Sequence, residues 1–135
     1  VPYLAHTCME PMNATAHVRD GICDLWTGTQ NPLGFRYSVA EALGLDAASV
    51  RVHNAYLGGG FGRRAIPDYA IQAARLSAAV GAPVQLIWSR EEDVRQDHYR
   101  PAVLSRFRAG LDEDGRPVAW ENQFVDKHEP GEAPY

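Results

Sequence analysis

Residues 57–64 read Leu-Gly-Gly-Gly-Phe-Gly-Arg-Arg, so that four glycines surround one phenylalanine and two arginines follow at once. Glycine accepts positive φ, and it lets backbone N–H groups approach a ligand without an intervening Cβ. Arg63 and Arg64 add forked, permanently charged donors. The tract therefore predicts an anion-binding loop, with a flexible turn and two solvated arginines as the alternative. Phe61 favours the binding loop, because a bulky ring among glycines implies that something covers it.

Other residues with reactive or ligating side chains favour plainer interpretations. Cys8 and Cys23 lack a Cys-x-x-Cys spacing, so two buried thiols are expected rather than zinc ligands. His6 is expected to be a hydrogen-bonded structural histidine, and Glu10 to tie down a loop. A solvated acidic face is expected at Glu91, Glu92 and Asp93. Three tryptophans are expected in the core, at Trp26, Trp88 and Trp120.

The predicted elements around the glycine tract would place it between a strand and a helix. A strand is expected over 50–55, and an alanine-rich helix over 67–80 that starts near Pro67 and stops at Gly81. A hairpin is expected over 14–26, a loop over 31–34, and a short helix that begins with a capping box at Ser38 and ends at Gly44. The C-terminal half predicts a buried strand over 83–88, a polar turn or short helix over 89–94, and a hairpin of strands 102–109 and 118–125. The fold class is therefore α+β, in two layers with a mixed sheet and two main helices.

Composition excludes several classes of protein. With 135 residues and 45% hydrophobic content, the chain is expected to form one domain over residues 1–135. The net charge of -4 and the scattered arginines argue against nucleic-acid binding, and no apolar stretch is long enough to insert directly into a membrane. The first residue is not methionine and residues 128–135 are polar and loop-like, so the chain is expected to be a fragment of a longer protein. Its compartment stays open.

Four blocks of sequence, in matching order and spacing, carry a resemblance to a known family. They are His-Thr-Cys-Met-Glu-Pro-Met-Asn-Ala-Thr-Ala at 6–16, Thr-Gln at 29–30, the glycine tract, and the run from Pro83 through Ser-Arg-Glu-Glu-Asp at 89–93 to Tyr-Arg-Pro at 99–101. Together these blocks resemble the molybdenum-cofactor-binding subunit of the xanthine dehydrogenase and aldehyde oxidase family. Within it they look most like the isoquinoline 1-oxidoreductase large subunit and the membrane-associated aldehyde dehydrogenases.

The resemblance implies an oxidoreductase that oxidises aldehydes or N-heteroaromatic compounds. Its molybdenum would be held by molybdopterin, often in the cytosine dinucleotide form, with water as the oxygen source. The partners would be the rest of the large subunit and a small subunit that carries [2Fe-2S] clusters. The residues implied in cofactor binding are Gly59, Gly60, Phe61, Gly62, Arg63 and Gln30, and the one implied in substrate binding is Arg100. No catalytic residue or protein metal ligand is assigned, because the family's general base lies far toward the C-terminus of the full subunit.

Departures from the xanthine branch limit the substrate. Leu4 stands where those relatives carry glutamine, and residues 63–65 read Arg-Arg-Ala in place of Gly-Lys-Glu, so a purine-binding glutamate is missing. Two other functions stay open, namely a stand-alone module that binds a phosphate or nucleotide through the glycine loop, and a structural domain without a ligand. The phosphate module is disfavoured because no Lys-Ser or Lys-Thr pair ends the loop. The isolated chain is expected to be catalytically silent.

Overall fold

The computed structural model describes residues 3–126. Its chain divides into two compact units, one made of residues 6–98 and the other of the described residues 3–5 and 99–126. A single domain over 1–135 therefore stays a prediction, and the loop-like character predicted for 128–135 lies outside the described residues.

The larger unit is built on a four-stranded mixed sheet. Its strands are β1 (Asn13–Arg19), β2 (Ile22–Thr27), β3 (Val50–Asn54) and β4 (Val84–Ile87), in the order β3-β2-β1-β4. β1 pairs antiparallel with β2 and β4, and β2 pairs parallel with β3. The predicted hairpin is confirmed, since Asp20 and Gly21 both have positive φ at its turn, as the right-handed strand twist favours.

Two helices form the second layer. α1 (Pro32–Leu43) packs against β3 and α2 (Asp68–Val80) against β1 and β4, and the two helices also contact each other. A short helix, α3 (Arg90–Arg95), follows β4. The core between the layers buries Met12, Leu25, Phe35, Val39 and Tyr69 completely. The α+β fold with a mixed sheet and two main helices is thereby confirmed.

The start of α1 differs from the sequence prediction. The helix begins at Pro32, six residues before Ser38, so the expected loop over 31–34 is wrong. Asn31 is the N-cap, because its side-chain oxygen accepts the Gly34 N–H at 2.9 Å, and Pro32 suits the first turn because it has no N–H to satisfy. Phe35 and Val39 lie one turn apart and both enter the core. Gly44 does end the helix, in the left-handed conformation.

Three other expectations about burial need correction. β4 alternates between half-buried and exposed residues, so it is not the fully buried strand expected over 83–88. Only Trp88 is in the core, since Trp26 lies half exposed against the His53 ring and Trp120 is largely exposed. Asp93 is buried and paired with Arg90, so the acidic face is limited to Glu91 and Glu92.

The smaller unit is a long β-hairpin. β5 (Val103–Leu111) pairs antiparallel with β6 (Pro117–Asp126), and Gly115 takes positive φ in the connecting turn. Leu4 and Arg100 form an isolated antiparallel bridge beside it. Between residues 3 and 126, no helix has the length and apolar character needed to cross a membrane.

Candidate functional site

The glycine tract forms an irregular loop between β3 and α2. Gly59, Phe61 and Gly62 have φ values of 96°, 53° and 98°, and a 3-10 turn over Arg63–Ala65 then leads toward the helix. Positive φ is uncommon for a residue with a Cβ, so the backbone at Phe61 is strained. A strained loop persists only when its surroundings hold it, and several buried side chains meet it here.

The glycines are required for different physical reasons. A Cβ built on Gly58 would lie 2.6 Å from the Cβ of Glu10, and one built on Gly60 would lie 2.4 Å from Gln30 Oε1. At Gly62 a Cβ would meet open space, and the positive φ is what demands glycine there. Close packing therefore favours glycine at Gly58 and Gly60, and the backbone conformation favours it at Gly62.

Backbone donors of the loop fall into two groups. Gly58 N–H donates to Glu10 Oε2 at 2.6 Å, and Gly62 N–H donates to Gln30 Oε1 at 2.9 Å. The N–H groups of Gly59 and Gly60 donate no hydrogen bond to any residue between 3 and 126. Two adjacent unpaired N–H donors of this kind are suited to bind an anionic or oxo ligand.

Arg64 is fully buried and binds the loop from the protein side. Its Nε donates to Gly59 O at 2.8 Å, and its Nη2 donates to Glu10 O at 2.7 Å and to Pro11 O at 3.2 Å. The same Nη2 lies 3.1 Å from the Glu10 carboxylate. Nη1 is buried with no hydrogen-bond partner in the described part of the chain.

Arg63 is equally buried but faces other partners. Its two terminal nitrogens donate to the Asp68 carboxylate at 3.0 and 2.8 Å. Nε lies 3.0 Å from Asp97 Oδ1 without the alignment of a hydrogen bond, so that contact is an ion pair only. The guanidinium carbon also sits 5.5 Å from the centre of the Trp88 ring. Arg63 thus links the loop to α2 and to the segment after α3, and neither arginine is the solvated group of the alternative interpretation.

Asp97 is a partner of Arg63 that the sequence did not predict, whereas Glu10 was expected to hold a loop. Asp97 also receives the His6 backbone N–H, and its Oδ1 lies 3.1 Å from His6 Nδ1, which confirms the structural interpretation of His6. Glu10 ties down the loop as expected and accepts in addition from Asn13 Nδ2 at 2.8 Å. No sequence signal identified Asp97, since it follows a helix more than thirty residues from Arg63.

The ionisation of this region follows from its hydrogen bonds. Burial opposes the charge on Glu10, but the Asn13 amide, the Gly58 N–H and Arg64 outweigh it and hold the pKa of Glu10 below its usual value. Burial raises the pKa of Cys8, whose Sγ lies 3.5 Å from Gly60 O, so this thiol stays neutral beneath the loop. Burial likewise raises the pKa of Cys23 to about 11. Both cysteines are free and buried, as expected, and no cluster of three potential metal ligands occurs within residues 3–126.

The structure gathers most of the residues implied in binding. Gly59, Gly60, Phe61, Gly62 and Gln30 meet at the loop, where the Phe61 ring is 64% exposed. Arg63 lies next to them with its guanidinium directed to the two carboxylates. Arg100 belongs to the hairpin unit, where its backbone exchanges hydrogen bonds with Leu4, and its predicted contact with substrate stays a prediction.

Comparison with known proteins identifies the family of the chain. Residues 1–130 match the model of the molybdopterin cofactor-binding domain. The chain is 37% identical over 113 residues to the isoquinoline 1-oxidoreductase subunit beta of Brevundimonas diminuta, which covers 82% of this chain and 14% of that protein. It is 33% identical over 135 residues to the aldehyde oxidoreductase molybdenum-binding subunit PaoC of Escherichia coli, covering 98% of this chain and 18% of that one.

A solved structure shares the fold as well. The quinoline 2-oxidoreductase of Pseudomonas putida 86 superposes with a TM-score of 0.69 at 29% identity, over 91% of this chain and 16% of that chain. This chain thus spans less than one fifth of the length of these relatives. By its family match and these identities, it belongs to the molybdopterin cofactor-binding domain family.

Proposed function

We propose that this chain forms part of the molybdopterin-holding region of a molybdenum hydroxylase subunit longer than itself. The observation that carries the proposal is the pair of N–H donors at Gly59 and Gly60, which donate to no residue between 3 and 126. Donors held in place before a ligand arrives bind its anionic or oxo groups without the cost of reorganisation.

The residues around these donors fit such a ligand. Gln30 uses Oε1 to accept from Gly62, and its Nε2 donates no hydrogen bond within the described chain, so we assign Nε2 to the cofactor. We assign the exposed Phe61 ring to screening the site from water once the cofactor and the rest of the subunit cover it. Direct contact between Arg63 and the cofactor stays a prediction, because the Arg63 guanidinium is already paired with Asp68.

The bound molybdenum centre would supply two-electron oxidation with an oxygen atom from water. We further propose aldehydes or N-heteroaromatic compounds as substrates, a cytosine dinucleotide form of the pterin, and electron transfer to [2Fe-2S] clusters on a partner subunit. The names of the relatives support these assignments, since one is an isoquinoline oxidoreductase subunit and another an aldehyde oxidoreductase subunit. We keep Arg100 as the proposed substrate contact. A stand-alone phosphate-binding module is not favoured, because the family match extends over residues 1–130.

The test measures molybdenum and pterin content in the whole subunit, purified from cells supplied with molybdate. Gly62→Val should lose both, because a β-branched residue disfavours φ of 98°. Gly60→Val should do the same by displacing Gln30. The matched control is Gly44→Val, since Gly44 also has positive φ and open space around its Cβ position but ends α1. Full cofactor content in both loop variants would refute the proposal.

A further inference from the structure

Two charged side chains hold adjacent residues at the start of the glycine loop. Glu10 contacts Gly58 twice, because its carboxylate accepts the Gly58 N–H at 2.6 Å and its own N–H donates to Gly58 O at 3.1 Å. Arg64 contacts the next residue through Nε and Gly59 O, at 2.8 Å. The two side chains also meet each other, with 3.1 Å between Arg64 Nη2 and Glu10 Oε2.

Two other arginines near the loop lack this arrangement. Arg90, like Arg64, binds backbone carbonyls of residues 8–11, since its Nη2 donates to Cys8 O at 2.6 Å and to Met9 O at 2.9 Å. Its Nη1 pairs with Asp93. Yet no hydrogen bond joins the Arg90 side chain to the loop. The Arg63 side chain binds Asp68 and Asp97 instead of loop backbone.

The loop needs such support because the backbone of several of its residues is strained or unusually free. Phe61 is held at positive φ, and Gly59 and Gly62 have the freedom to leave the left-handed region when nothing holds them. The unpaired donors of Gly59 and Gly60 would gain water or other partners in a loosened loop. A hydrogen-bonded ion pair at the loop's first two glycines, with its arginine buried, resists that loosening.

We propose that Glu10 and Arg64 act as a clamp, the Glu10–Arg64 clamp, that holds residues 58–62 in their binding conformation before any cofactor arrives. Both are positioning residues, since they fix the backbone that presents the Gly59 and Gly60 donors rather than contact the ligand themselves. The purpose of the clamp rests on the proposed function. Its existence as a loop-ordering device does not.

Hydrogen exchange of the loop amides in the whole subunit, prepared without cofactor, tests the clamp directly. In Glu10→Ala and in Arg64→Lys, exchange of the hydrogen-bonded Gly62 and Arg63 amides should accelerate about tenfold to a hundredfold, because a charge-assisted hydrogen bond that holds the loop is lost in each. Glu10→Gln should lie between Glu10→Ala and the parent, because its amide oxygen still accepts from Gly58 while the ion pair with Arg64 is gone. The acceleration in the double variant, Glu10→Ala with Arg64→Lys, should be smaller than the two single effects combined, since both substitutions break one shared contact.

Two controls separate a clamp from a general loss of stability. Arg90→Lys removes comparable bonds to the same segment but touches no loop residue. Val39→Ala creates a core cavity under α1, far along the chain from the loop, and it lowers stability without altering any loop contact. Neither control should accelerate exchange of the loop selectively.

Loop exchange tests the clamp, and molybdenum content tests the proposed function. Unchanged loop exchange in Glu10→Ala overturns the clamp even if Arg64→Lys fails to fold, because Glu10 is partly exposed and its loss leaves the core intact. Equal acceleration in Val39→Ala also overturns it. Selective acceleration supports the clamp whatever the molybdenum content of the variants. Molybdenum content that stays full in a loosened loop would count against the proposed function alone.

Discussion

Replacing Arg63 with alanine separates a structural role from a cofactor contact. The guanidinium of Arg63 is 1% exposed, and it is the cation placed between the Asp68 and Asp97 carboxylates. Its loss would leave the Asp97 carboxylate, which is 2% exposed, with His6 as its remaining side-chain partner. Asp68 is 28% exposed and water can solvate it, so its contribution to the loss is smaller.

The expected cost follows from this geometry. Removing one partner of a buried ion pair typically destabilises a protein by about 3–5 kcal/mol, and most of that would come from Asp97. Loss of the stacking on Trp88 falls within the same range. Arg63→Lys keeps a charge, but a single ammonium cannot bind the Asp68 fork and approach Asp97 together, so we expect an intermediate loss of about 1–3 kcal/mol.

Native-state hydrogen exchange of α2 measures this loss, because α2 packs into the core and its best-protected amides exchange when the whole unit unfolds. Molybdenum content is measured on the same preparations. Arg63→Ala should accelerate exchange across α2 by at least about a hundredfold. Normal exchange in α2 together with lost molybdenum would refute the structural role and make Arg63 a cofactor contact. Normal molybdenum content in a folded Arg63→Lys variant would remove Arg63 from the binding residues.

Three further predictions concern the loop and the isolated chain. Gly60→Ala should displace the Gln30 side chain and release the Gly62 N–H, whereas Gly62→Ala should leave Gln30 in place and lower stability by about 1–2 kcal/mol because of its positive φ. Crystal structures and thermal melting of both variants check this, and an unmoved Gln30 in Gly60→Ala would contradict it. The pKa of Glu10 is lowered in the fold, so its contact with Gly58 stabilises the loop fully above the unfolded-state pKa of 4.5 and is lost as the pH falls through the lower folded-state pKa. Gly58 amide exchange measured against pH should show this, and the same acid response in Glu10→Gln would disprove it. The isolated chain should not oxidise aldehydes or N-heterocycles, because no general base is assigned within it; dye-linked turnover at the rate of the whole subunit would show otherwise.

Local patterns predicted most of the elements because their signals are short-range. The Asp20-Gly21 turn, the ends of α1 and α2 at Gly44 and Gly81, and the C-terminal hairpin all depend on the φ preferences of a few neighbouring residues. The start of α1 was predicted wrongly because two capping signals compete. The capping box at Ser38 is real as a pattern, but Asn31 with Pro32 begins the helix early enough for Phe35 to reach the core.

The glycine tract by itself determined that this chain carries a close-approach loop, and the sequence blocks around it determined the family, since both depend on residue types in order along the chain. The tertiary structure decided what the charged residues do. Arg63 and Arg64 are adjacent in sequence and equally basic, yet one is buried against Asp68 and Asp97 and the other against Glu10 and the loop backbone. Asp68 is only five residues from Arg63, but Asp97 and Glu10 are brought in by how the segments before β1 and after α3 pack around the loop, and such long-range ion pairs leave no local signal in the sequence.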